Sequence, residues 1–118
     1  MSIDRGDTHQ VVIRHRSQTL NRFKQQIREA AAFLVSKLER PPHIGVVTGT
    51  GLGDAVGPLE ERLVLDYADI PHFPVSTVTG HSGRLLVGLR DGHPLIVMQG
   101  RFHLYEGYTP CEVTFPMR

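Results

Sequence analysis

Leu95-Ile96-Val97-Met98 is an apolar run that passes through Gln99 into Gly100, and Arg101, His103 and Tyr105 follow at every second position. A short apolar run ended by glycine is the sequence form of a buried strand. If the chain stays extended past that glycine, alternation places a guanidinium, an imidazole and a phenol on one face. Such groups can hold an oxyanion, donate to it and cover a sugar ring. In α/β proteins ligands gather beyond strand ends. The polar face of an ordinary edge strand would read the same way, so the remaining residues have to decide.

Before this block the periods change along the chain. Residues 1–16 are polar and carry no sustained period, and they read as a flexible leader. From Leu20 the apolar residues Phe23, Ile27, Ala30, Ala31, Leu34 and Leu38 recur at helical spacing, with Ser17 or Thr19 as a cap and Pro41-Pro42 as the stop. Residues 44–48 are a buried-type strand and run directly into Gly49-Thr50-Gly51-Leu52-Gly53, with a short helix expected near Asp54. Residues 62–67 suggest a strand and residues 68–83 a long loop. Residues 84–89 and 94–99 read as a hairpin around the turn pair Asp91-Gly92. Thr109-Pro110-Cys111-Glu112 has the layout of a capping box with proline in the first helical position. A helix opens there and is cut short at Arg118.

At 118 residues the chain is one domain at most. Alternating strand and helix signals give an α/β fold, a central mixed β-sheet flanked by helices, with residues 17–118 as one unit. No apolar run is long enough for a membrane span, and no signal peptide pattern opens the chain, so no membrane partner is expected. The lone Cys111 has no partner for a disulfide or a zinc site, which places the protein in a reducing cytoplasm. Up to Arg40 there are eight Lys/Arg against four Asp/Glu, and from Pro41 onward five against eight. That basic excess is too scattered to imply nucleic acid. Every cation after Lys37 is arginine, the residue suited to a two-pronged grip on phosphate, which draws attention to Arg84 and Arg101.

Two further segments carry chemistry. The Gly49–Gly53 loop can turn backbone N–H groups and the Thr50 hydroxyl toward an anion. It matches neither the Walker pattern nor the dinucleotide fingerprint, and a tight structural turn would also account for it. Thr79-Gly80-His81-Ser82-Gly83-Arg84 could close over a ligand, or simply connect two strands. Glu106 is placed to orient His103 or Tyr105, or to sit in solvent. His9, His15, His43, His72 and His93 lie in leader, loop or turn contexts, and no pair has metal-ligand spacing, so no metal is assigned.

Taken in order, these blocks carry a resemblance. Gly-Thr-Gly-Leu-Gly after a strand, Asp69-Ile70-Pro71-His72-Phe73-Pro74, Thr77 to Leu85, Met98 to Tyr108, and the closing Val113-Thr114-Phe115-Pro116-Met117-Arg118 resemble the trimeric (class II) purine nucleoside phosphorylases from about residue 17 onward. The resemblance implies phosphate-dependent cleavage of purine (2′-deoxy)ribonucleosides to the base and (2-deoxy)ribose 1-phosphate. It implies inorganic phosphate as co-substrate, no other cofactor, and a homotrimer. By position in the motifs, Thr50, His81, Arg101 and His103 correspond to the phosphate site, His81 and His103 to catalytic histidines, and Tyr105 to the aromatic that packs on ribose. Thr50 stands where serine is more usual, and a hydroxyl is kept. The purine-binding residues belong to a later portion of the family's chains, so none is assigned here. This chain alone is expected to be inactive. Methylthioadenosine phosphorylases share the Gly-Thr-Gly loop but match less well at Arg101 to Tyr105. A non-catalytic phosphate- or partner-binding module, or a mononucleotide-binding module, would use the same loops.

Overall fold

Residues 7–40 contain neither glycine nor proline, so nothing in the backbone interrupts a helix there. The computed structural model describes residues 5–49, 52, 54–75 and 83–118. Helix α1 spans Arg5–Lys37 in one piece. The start expected at Ser17 or Thr19 is therefore corrected: residues 5–16 are helical. Thr19 does not cap; its hydroxyl donates to the His15 carbonyl one turn back (3.0 Å), a mid-helix arrangement. Residues 8–22 lie exposed, Val11, Ile13 and Leu20 among them. The second half of α1 supplies the packing face, with Ala30 buried and Phe23, Ile27 and Leu34 against the core.

The strands are β1 (Ile44–Thr48), β2 (Glu60–Asp66), β3 (Arg84–Arg90) and β4 (His93–Gln99). They form one mixed sheet in the order β1-β4-β3-β2. The β3–β4 hairpin turns through Asp91 (φ 51°) and Gly92 (φ 79°), two left-handed residues in succession, as the Asp-Gly pair implies. β2 pairs antiparallel with β3 and begins earlier than expected, with an irregularity between Glu60 and Leu63. β1 pairs parallel with β4, from Ile44 opposite Leu95 to Thr48 opposite Gln99. That register brings Gly49 and Gly100, the residues that end the two strands, to the same edge of the sheet.

Among the described residues no helix forms near Asp54. The segment closes instead as two tight turns, with the Ala55 amide on the Leu52 carbonyl and the Gly57 amide on the Asp54 carbonyl (both 3.0 Å). Gly57 is left-handed (φ 73°) and Pro58 follows, which stops helical continuation. The Arg90 guanidinium pins this turn at the Val56 carbonyl (2.8 Å).

Helix α2 (Pro110–Thr114) opens as read from the sequence. Thr109 Oγ1 accepts from the Glu112 amide, and the Glu112 carboxylate accepts from the Thr109 amide (2.7 Å). It tightens into a 3₁₀ turn over Phe115–Met117, which accommodates Pro116. Phe115 is buried edge-on against Phe23 of α1 (5.7 Å) and Phe73 (6.0 Å). The core continues through Tyr67, Ile70, Leu85, Met98 and Phe102. Each such side chain contributes on the order of 1.5–3 kcal/mol on burial.

Candidate functional site

The parallel β1–β4 pairing assembles this site, because it sets Gly49 and Gly100 side by side at the ends of the two strands. The buried Thr48 side chain fastens the pair near their ends, its hydroxyl donating to the Met98 carbonyl (3.1 Å). Gly100 then turns the chain with φ at 100°, a conformation that favours glycine. Past that turn the Arg101 guanidinium reaches the end of β1: its Nη2 lies 3.3 Å from where a Cβ on Gly49 would stand. A side chain at Gly49 would crowd the guanidinium, so the glycine keeps the approach open.

The extended run expected across Arg101, His103 and Tyr105 holds only as far as His103 (φ −127°, ψ 148°). Leu104–Glu106 is a 3₁₀ turn, which corrects the alternation. The cause is Glu106. Its carboxylate reaches back to accept the His103 amide (2.9 Å), and Gly107 ends the turn left-handed (φ 89°). The turn still brings Tyr105 to His103, with the two rings stacked at 4.7 Å and 16°. Tyr105 itself is 79% exposed, so its outer face is open to a ligand.

Glu106 therefore has the orienting position that the sequence allowed it. Its side chain is 3% exposed and its Oε2 lies 3.8 Å from His103 Nδ1. The His103 side chain in turn accepts from the Glu106 amide, so the two residues cap one another and the imidazole is held in place. Arg84 has a different task. Its Nε donates to Gln99 Oε1 (2.9 Å), bracing β3 against β4 one residue before Gly100. Thr50 and His81 lie outside the described residues. Among the described residues no group of His, Cys, Asp and Glu side chains could hold a metal ion, and no helix is long and apolar enough to cross a membrane. A cleft lined by Lys37, Leu63, Leu89 and Pro94 opens at the other end of β4, away from these groups.

Tyr67 is a contributor that sequence reading missed. It is buried, and its hydroxyl donates to the Gly100 carbonyl (2.8 Å). Burial pushes its phenol pKa well above the ordinary tyrosine value, so it remains a donor at any physiological pH. Its amide donates to the Gly83 carbonyl (3.2 Å), and its ring fills the space a side chain on Gly83 would need.

The sequence is 50% identical over 96 residues to purine nucleoside phosphorylase 1 of Bacillus subtilis, covering 81% of this chain and 35% of that one. It is 46% identical over 94 residues to the purine nucleoside phosphorylase of Bos taurus, covering 80% and 32%. The matched part of this chain belongs to the purine nucleoside phosphorylase family. Its fold agrees with that of isoform 2 of the Schistosoma mansoni purine nucleoside phosphorylase in complex with cytosine and ribose-1-phosphate. The TM-score is 0.71 at 40% identity, over 80% of this chain and 33% of that one. The chain thus spans about a third of the length of the purine nucleoside phosphorylases it matches. No protein-family model matches it.

Proposed function

We propose that this chain is the phosphate-holding portion of a purine nucleoside phosphorylase. The observation that carries the reading is the Arg101 guanidinium poised over Gly49, with the stacked His103–Tyr105 pair following on the same segment. A planar, permanently charged fork at the ends of two parallel strands suits a tetrahedral oxyanion. The Schistosoma mansoni relative bound to ribose-1-phosphate supports the same substrate class.

In this reading Arg101 and His103 hold inorganic phosphate, together with Thr50 and His81. Tyr105 packs its outer face on the ribose. A phosphate oxygen forms the bond to C1′ as the C1′–N9 bond breaks, and the purine leaves with that electron pair. The sugar passes through an oxocarbenium-like state. Phosphate is both nucleophile and counter-charge, so the protein's work is positioning and electrostatic stabilisation. Inorganic phosphate is the co-substrate and no other cofactor is called for. The complete protein would act on purine (2′-deoxy)ribonucleosides as a cytoplasmic homotrimer. Residues 17–118 form the phosphorylase portion, which is inert by itself.

A chimera tests this. Residues 17–118 replace the corresponding third of the Bacillus subtilis enzyme, and release of hypoxanthine from inosine is followed with and without phosphate. Phosphate-dependent release that is lost on Arg101→Ala is expected. A folded chimera that cleaves inosine equally well without phosphate, or after that substitution, would sink the reading.

A further inference from the structure

We infer that Tyr67 is a positioning residue for the anion site, aiming Arg101 at Gly49 through the carbonyl of Gly100. The inference rests on the reading that Arg101 holds phosphate.

A single peptide joins Gly100 to Arg101. It is planar, so fixing its oxygen also fixes the direction of the Arg101 N–H and the axis from which that residue's side chain departs. The Tyr67 hydroxyl holds that oxygen at 2.8 Å. On the other side of Arg101, the Phe102 ring is buried against the Tyr67 ring at 5.2 Å. One side chain therefore grips the chain immediately before and immediately after the arginine.

Tyr67 is in turn held where it is. Phe73 packs on its ring at 5.7 Å. Its amide bonds the Gly83 carbonyl, and a Cβ on Gly83 would come within 2.1 Å of its ring. Gly83 and Gly100 also approach closely, with 3.5 Å between the Gly83 Cα and the place a Gly100 Cβ would take. Two glycines and a tyrosine thus form one contact. Gly100 holds its left-handed turn (φ 100°) beside that contact, and the turn sends Arg101 to Gly49 at the end of β1. Phenylalanine could fill the same space in the core. Only the hydroxyl meets Gly100, so its purpose is to fix that carbonyl, and removal would leave the carbonyl without its partner.

The test uses the 118-residue chain, labelled with nitrogen-15, as wild type, Tyr67→Phe and Tyr108→Phe. The second variant removes a hydroxyl from the same aromatic cluster without touching Gly100. Two readouts are followed: the Gly49 amide and Arg101 Nε resonances, and a titration with inorganic phosphate. Tyr67→Phe should move both resonances and weaken phosphate binding roughly three- to tenfold, the loss expected for one hydrogen bond. Tyr108→Phe should do neither. Unmoved Gly49 and Arg101 resonances in folded Tyr67→Phe would overturn the inference, whatever phosphate does. Absence of phosphate binding by the wild type would instead overturn the functional reading, and the resonances would still judge Tyr67. Should Tyr67→Phe not fold, the wild type decides: a slowly exchanging Tyr67 hydroxyl proton close to Gly100 is required, and its absence refutes the inference.

Discussion

The Tyr108 hydroxyl engages both backbone groups of Val75, donating to its carbonyl and accepting from its amide (3.1 Å). One phenol thereby imitates the paired bonds a neighbouring strand would supply. It ties the segment after Pro74 to the segment that carries Arg101 and His103. Val75 is half exposed, so water can replace the phenol. Tyr108→Phe should therefore lower stability by less than about 1 kcal/mol while speeding hydrogen exchange at the Val75 amide. Urea unfolding and amide exchange check the two halves, and unchanged exchange at Val75 would contradict the structure.

On the proposed function, Arg101→Ala should weaken phosphate binding by on the order of 2–3 kcal/mol, because it would remove a charge-assisted, two-pronged contact. Arg101→Lys should recover only part of the loss, since charge returns without the fork. Tyr105→Phe should change little, because the stacked ring is kept. Calorimetric titration with phosphate ranks the three, and equal losses in Arg101→Ala and Tyr105→Phe would refute the assigned roles.

Glu106→Ala removes the acceptor for the His103 amide and the carboxylate beside Nδ1. A lost capping contact of this kind costs about 1 kcal/mol. Chemical denaturation should show that loss. The imidazole resonances of His103 should shift at the same time, because the 3₁₀ turn that positions it loosens.

Glu29 and His72 tie α1 to the turn after Ile70. The hydrogen bond from His72, and then that from Gln25, hold the Glu29 carboxyl below its ordinary pKa. A depressed carboxyl contributes stability above its unfolded pKa, near 4, and loses it as pH falls through the folded value. Wild type should thus melt slightly above Glu29→Gln at neutral pH, and the gap should close as the solution is acidified below about pH 4. Glu29 is exposed, so the gap is small and should shrink with salt. A gap that widens on acidification would show the sign to be wrong.

β1 lies at the edge of the sheet and exposes Ile44 and Val47. Apolar edge strands recruit other chains. Val47→Lys should reduce concentration-dependent self-association, measured by analytical ultracentrifugation, without altering the circular dichroism spectrum.

The parts of the fold that the sequence announced were those governed by local rules. Residues 44–48 form the expected strand, although Ile44 and Val47 lie exposed at the sheet edge and not buried as expected; Asp91-Gly92 has the chemistry of its turn, and Thr109 with Glu112 closes a cap. The extent of α1 was hidden because Val11, Ile13 and Leu20 take no part in a core, and a helix without a packed face leaves no clean period. The bend after His103 was hidden because alternation and capping competed for the same residues, and the buried Glu106 carboxylate prevailed. In the candidate site, the place of Arg101 and His103 just after a strand was legible from the sequence. Tyr67 was not. Its partners Gly83 and Gly100 are distant in sequence, and only the sheet brings them together.

The parallel pairing of β1 with β4 bears on the order in which the molecule assembles. β4, β3 and β2 are joined to one another by antiparallel pairing, and the first of those joins closes through a two-residue turn. β1 joins through contacts such as Thr48 to Met98, which are 50 residues apart. The entropy of closing so wide a loop must be met before any of its contacts form. Arg101 and Gly49 therefore come together only when that wide loop closes. An anion bridging them would act as a fastener, gaining its hold only on chains whose outermost strand is already seated.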